Sequence, residues 1–166
     1  MTCFIAVTGF SLQREFIFKE IAIISGDGES FQVWNLLPPC PFSHLNAADR
    51  ATVSHISNHA LNLKWEDGFV PYKYLCNIFE VIAREYKRWF VDDQKTQQIV
   101  NPFKSISVKL KITPSFREPT GSDDTLARDA WNLVEEDEDI RNCVYCHTNC
   151  AVRKAVLMYK HYQPSD

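Results

Sequence analysis

The residues of this chain best suited to chemistry lie near its end. Cys143-Val144-Tyr145-Cys146-His147-Thr148-Asn149-Cys150 gathers three thiols and an imidazole into eight residues. Thiolate and imidazole are the ligands zinc prefers, and a structural zinc site takes four of them in a tetrahedron. The cluster is too short for a two-knuckle finger, in which two separated ligand pairs share one ion. It therefore raises the question of which distant residue completes a site. Cys3, Cys40 and Cys76 are scattered and read as small hydrophobes rather than as a disulfide framework, so a reducing, intracellular setting is expected.

A second group could contact nucleic acid. Lys87, Arg88 and Trp89 are consecutive, and Lys109 and Lys111 share one face of a predicted strand, with Lys104 nearby. The cations could meet phosphate while Trp89 stacks on a base of single-stranded RNA. The formal net charge of −3 supplies no global basic field, so a solvated surface is the plain alternative. Trp34, Trp65 and Trp131 read as packing residues. His55 and His59 stand four apart on a predicted helix, but no acid completes an H-E-x-x-H pattern. The chain carries no Walker loop, no G-x-S-x-G and no G-x-G-x-x-G.

The elements that must position these residues follow from periodicity. Thr2–Thr8, Phe16–Ser25 and Ser30–Leu36 are rich in β-formers and separated by turn signals, Gly9 and Ser25-Gly26-Asp27-Gly28. They predict an antiparallel meander. Pro38-Pro39-Cys40-Pro41 is an extended connector. Helices are expected over Ala47–Leu61, with Asn46 as cap, over Pro71–Tyr86, with Leu75, Ile78, Phe79 and Ile82 at helical spacing, and over Asp93–Val100. Short strands are expected at Arg88–Val91 and Ser105–Ile112. A loop at Pro114–Asp124, a short helix at Leu126–Val134, an exposed acidic run at Glu135–Asp139 and a last helix over Ala151–Tyr162 complete the chain. The fold class is α/β: a mixed sheet, antiparallel first and parallel where helices intervene, flanked by helices. With 166 residues, 45% of them hydrophobic, one domain spanning 1–166 is expected. No run reaches the length of a membrane span, no signal peptide is recognisable at the start, and no membrane contact is expected.

Within this order, Phe18-Lys19-Glu20-Ile21-Ala22-Ile23 resembles the second strand of DEDD-type 3′–5′ exonucleases, enzymes of RNase H-like architecture. Their first strand carries an Asp-x-Glu pair on one face, which holds two metal ions that activate water. In the matching stretch here, Ile5 to Phe10, Ala6 and Thr8 stand at those two positions, and neither suits a hard divalent cation. The resemblance thus implies a lost nuclease site, and no catalytic residue is assigned. Asp92 and Asp93 follow the Arg88–Val91 strand roughly where a later carboxylate of such enzymes sits; the plain reading is a helix N-cap and first-turn acid.

The closer resemblance is to the Maelstrom domain, an RNase H-like fold of the piRNA pathway. It rests on Glu20 in the Lys-Glu-Ile-Ala strand and on Cys143, Cys146, His147 and Cys150 near the C-terminal helix. That family has lost the exonuclease acids and carries a Glu-Cys-His-Cys set instead. The resemblance implies zinc held by Glu20 with the C-terminal thiols and imidazole, a role in RNA association or transposon control, and a protein partner. Physical chemistry agrees on Glu20, since a carboxylate inside an apolar strand, expected between Phe18 and Ala22 on one face, must be paired or bound to metal. His147 and Cys150 can share a helix face, whereas adjacent Cys146 and His147 cannot both ligate easily. The preferred set is Glu20, Cys143, His147 and Cys150, with Cys146 as the alternative ligand. Four protein ligands would leave no open position, so the zinc would be structural.

Overall fold

The computed structural model describes residues 1–59, 63–113 and 151–161. Its strands are β1 (Thr2–Ser11), β2 (Phe16–Ser25), β3 (Phe31–Asn35), β4 (Arg88–Val91) and β5 (Lys109–Ile112). Among the described residues they form one sheet of order β3-β2-β1-β4-β5. β1 pairs antiparallel with β2, and β2 with β3, while β4 runs parallel to β1 and β5 parallel to β4. This is the mixed sheet expected from the sequence: a meander built on short turns, then parallel strands that need helical crossovers. The helices are α1 (Ala47–His59), α2 (Leu75–Glu85), α3 (Gln94–Val100) and α4 (Ala151–His161). The loop, helix and acidic run expected between Pro114 and Asp139 lie outside the described residues.

Side chains alternate between two covered faces. Cys3, Ile5, Val7, Ile21, Ile23, Trp89 and Val91 face α2, whose Leu75, Ile78, Phe79 and Ile82 form the opposing stripe. Phe4, Ala6, Ala22, Ile24 and Phe90 face α4. There the contacts are small: Ala6 pairs with Ala22 in register, and Ala151 and Ala155 come from the helix, so α4 lies close on the sheet. A third cluster, Phe10, Ile17, Val53, Leu63 and Trp65, closes the end of the meander on the α1 side.

β5 begins at Lys109 rather than at the expected Ser105, and two other boundaries differ for clear physical reasons. Gly9 does not end β1, which continues to Ser11. A Cβ at Gly9 would sit far inside van der Waals contact with the Ile17 carbonyl oxygen, so glycine is what lets the strands stay paired there. The register shifts at the same point: Thr8 pairs with Glu20 but Gly9 with Phe18, leaving Lys19 as the extra residue of a β-bulge. The helix expected from Pro71 begins as a 3₁₀ turn, Tyr72–Tyr74, and becomes α-helical at Leu75.

Candidate functional site

The bulge decides where Glu20 points. With one extra residue at Lys19, Phe18 falls on the α2 side while Ala22 falls on the α4 side. The expectation that Phe18 and Ala22 flank Glu20 on one face is therefore corrected, because strict alternation fails across a bulge. Glu20 stands opposite Thr8 on the α4 face, is 0% exposed, and accepts a 3.0 Å hydrogen bond from Thr8 Oγ1 at its Oε1. Thr8 thus supplies a hydroxyl donor to the buried Glu20 carboxylate. Ala6, two residues earlier on the same face, is buried under α4.

Lys19 is also buried. Its Nζ donates to Trp65 O at 2.7 Å and to Asp67 O, which fastens the Trp65–Asp67 turn to β2. Burial pulls its ammonium down to about 8, against the opposing pull of the Asp67, Glu66 and Glu20 carboxylates. Nothing in the sequence marked Lys19 as an interior residue, since a Lys beside an apolar run usually faces water.

Beyond the carboxyl ends of β1 and β4 lies a crevice of about 300 Å³, lined in part by Thr8, Ser11, Asp93, Lys95, Thr96 and Lys154. Open α/β sheets place their ligand crevices at such strand ends. The two acids after β4 separate in role. Asp93 is the N-cap of α3, its Oδ1 accepting from Thr96 N at 2.7 Å, so the helix starts one residue later than expected and has no acid in its first turn. Asp92 is 8% exposed, and its Oδ1 has no hydrogen-bond partner among the described residues. Burial pushes its carboxyl above the usual carboxylate range; the Lys154 ammonium and the Thr96 hydroxyl pull the other way, and Asp93 adds to the rise. The signal available beforehand was only an acid directly following an apolar strand.

The last helix ties these features together. Lys154, in the first turn of α4, acts on Asp92, whereas Tyr159 donates to Asp27 O at 3.3 Å at the far end of the sheet. Helix α4 therefore starts at the end of the sheet that holds Thr8, Glu20 and Asp92. Cys150 immediately precedes that start in sequence. Cys143, Cys146, His147 and Cys150 lie outside the described residues, and among the described residues no three His, Cys, Asp or Glu side chains gather as a metal site.

The cationic group divides. Trp89 is 0% exposed, packs against Phe79 with ring centroids 6.1 Å apart, and donates from Nε1 to Tyr86 O at 2.9 Å. Its expected role as a stacking platform is corrected: β4 is an interior strand covered by α2, so the ring belongs to the core. Lys87 Nζ is bound to Ala83 O at 2.6 Å, near the end of α2. Arg88 lies over the Phe90 ring at 5.7 Å. Lys109 and Lys111 are exposed and pair across the strands with Arg88 and Phe90, on one face as expected. Trp65 is core, its Nε1 donating to Cys40 O at 2.8 Å, and His55 faces solvent. No helix among the described residues is long and apolar enough to cross a membrane. No protein-family model matches the chain, and no curated protein matches it.

Proposed function

We propose that this chain is a catalytically degenerate RNase H-like domain, stapled by a structural zinc ion and working as an RNA-associated binding module. The observation that carries the reading is Glu20: a fully buried carboxylate beside Thr8, on the face where α4 begins directly after Cys150. A buried carboxylate at that point fits a cation, and the nearby stretch of chain is rich in the soft donors zinc takes. Glu20, Cys143, His147 and Cys150 would hold the ion, with Cys146 as the alternative thiolate. Zinc so bound supplies cross-linking rather than water activation, since no coordination position stays open. Thr8 orients the Glu20 carboxylate through its hydroxyl. The exposed Lys109 and Lys111 supply cations for phosphate, and a protein partner and a setting in transposon control rest on the Maelstrom resemblance alone.

Metal analysis of the purified chain tests this. One zinc per chain, lost in Cys150→Ser and Glu20→Ala, is expected; a well-folded protein free of metal would refute it. A second reading, a nuclease for single-stranded RNA or DNA with an unconventional site, is favoured by one observation, the buried Asp92, which feels the charge of Lys154 and directly precedes the Asp93 that lines the crevice. Cleavage of single-stranded RNA by the wild type and its loss in Asp92→Asn would select that reading instead.

A further inference from the structure

A depression of about 400 Å³ lies between the end of α2 and the segment after α3, and three cations line it: Arg84, Lys87 and Lys104. Its apolar lining is the methyl of Ala83 and the half-buried ring of Phe103. Lys87 immediately precedes β4, so these cations gather at the amino-terminal end of that strand, away from Asp92 at its carboxyl end. Lys87 is held by its bond to Ala83 O. No hydrogen bond or ion pair engages the Arg84 guanidinium or the Lys104 ammonium among the described residues. The Phe103 ring is itself fixed, stacked on Phe79 at 4.8 Å and edge-on to Phe18 at 5.4 Å. β5 borders the depression through its backbone, where Lys109 N donates to Lys87 O at 2.8 Å, while its Lys109 and Lys111 side chains stand in register with Arg88 and Phe90, on the α4 side of the sheet.

Three converging cations with one acid, Glu80, at the wall favour an anion. The concave shape and the fixed aromatic ring add a requirement that a bare anion does not meet. A phosphate bearing a planar or apolar group meets both, with the anion against Arg84 and Lys104 and the base or sugar against Phe103. We propose that this depression binds one nucleotide unit of single-stranded RNA, and that the strand continues around the sheet edge at β5 to Lys109 and Lys111. The proposal rests on the RNA reading above and gives it a seat that the consecutive Lys87, Arg88 and Trp89 did not indicate.

The test is fluorescence anisotropy with a short fluorescein-labelled oligouridine, on the full chain and two double variants of exposed or half-exposed residues. Arg84→Gln with Lys104→Gln should weaken binding about tenfold, and the slope of log K against log salt should shrink by about 1. Uridine monophosphate should displace the RNA at lower concentration than inorganic phosphate; equal potency would overturn the nucleotide seat, since only the anion would then be recognised. Unchanged affinity in this variant, with binding lost in Lys109→Gln with Lys111→Gln, would overturn the depression and leave the RNA reading standing. Failure of the wild-type chain to bind the oligouridine would overturn both. Circular dichroism of each variant checks that folding is intact.

Discussion

Replacing Lys19 by methionine tests the bulge that orients Glu20. The ammonium is 1% exposed and its pKa falls to about 8 from 10.5, burial being the cause. The sign follows from linkage. A lysine whose folded pKa is depressed holds fewer protons in the folded than in the unfolded chain between those two values. Stability therefore rises with pH through the window from about 8 to 10.5. Between pH 7 and pH 9 the contribution works out to about 1 kcal/mol, up to a factor of about ten in the unfolding equilibrium. Methionine removes this term and leaves Trp65 O and Asp67 O without their donor, each at a cost of about 1–3 kcal/mol. At pH 7 the relieved burial of charge, about 3 kcal/mol by the same shift, offsets most of that loss. The variant should thus be near wild-type stability at pH 7 and fall behind as pH rises. Urea denaturation of both proteins at pH 7 and pH 9 reads the difference, and terms common to both cancel. A stability gap that stays constant between the two pH values would refute the reasoning, because the ammonium would then be reaching water.

Two other perturbations bear on the same end of the sheet. Asp92 has a folded pKa above its unfolded 3.8, so the stability it contributes is present at low pH and is lost as pH rises through the folded value; Asp92→Asn should gain stability over wild type on going from pH 4 to pH 7, and a gap that shrinks over that interval would contradict the burial account. Gly9→Ala forces a Cβ into the Ile17 carbonyl, and the β1–β2 hairpin must open or shift there, at a cost of roughly 2–4 kcal/mol seen as a lowered melting temperature; an unchanged melt would show that the strands can part without loss.

The sheet was legible because its signals are local. Ten-residue apolar strands with a Ser-Gly-Asp-Gly turn between the second and third leave few alternatives to a meander, and the spacing of Leu75, Ile78, Phe79 and Ile82 marks α2 without reference to anything it touches. Asp93 as a cap was legible for the same reason, since its partner is three residues away. Trp89 was not. Whether an aromatic residue on a four-residue strand faces solvent depends on which strands lie on either side and which helix covers them, and those neighbours, β1, β5 and α2, come from distant segments.

The sequence alone thus determined the α/β class, the meander and the parallel strands after it, and the chemical oddity of Glu20 in an apolar strand. Tertiary structure decided the rest. A one-residue bulge at Lys19 turns Glu20 to the face covered by α4 and sends Phe18 to the other. Burial separates Asp92 from Asp93, and the end of α2 meets the segment after α3 to bring Arg84, Lys87 and Lys104 around one depression. The physical reason is the same in each case: periodicity is written in neighbouring residues, whereas burial, desolvation and the convergence of charge are properties of surfaces that exist only once distant segments pack.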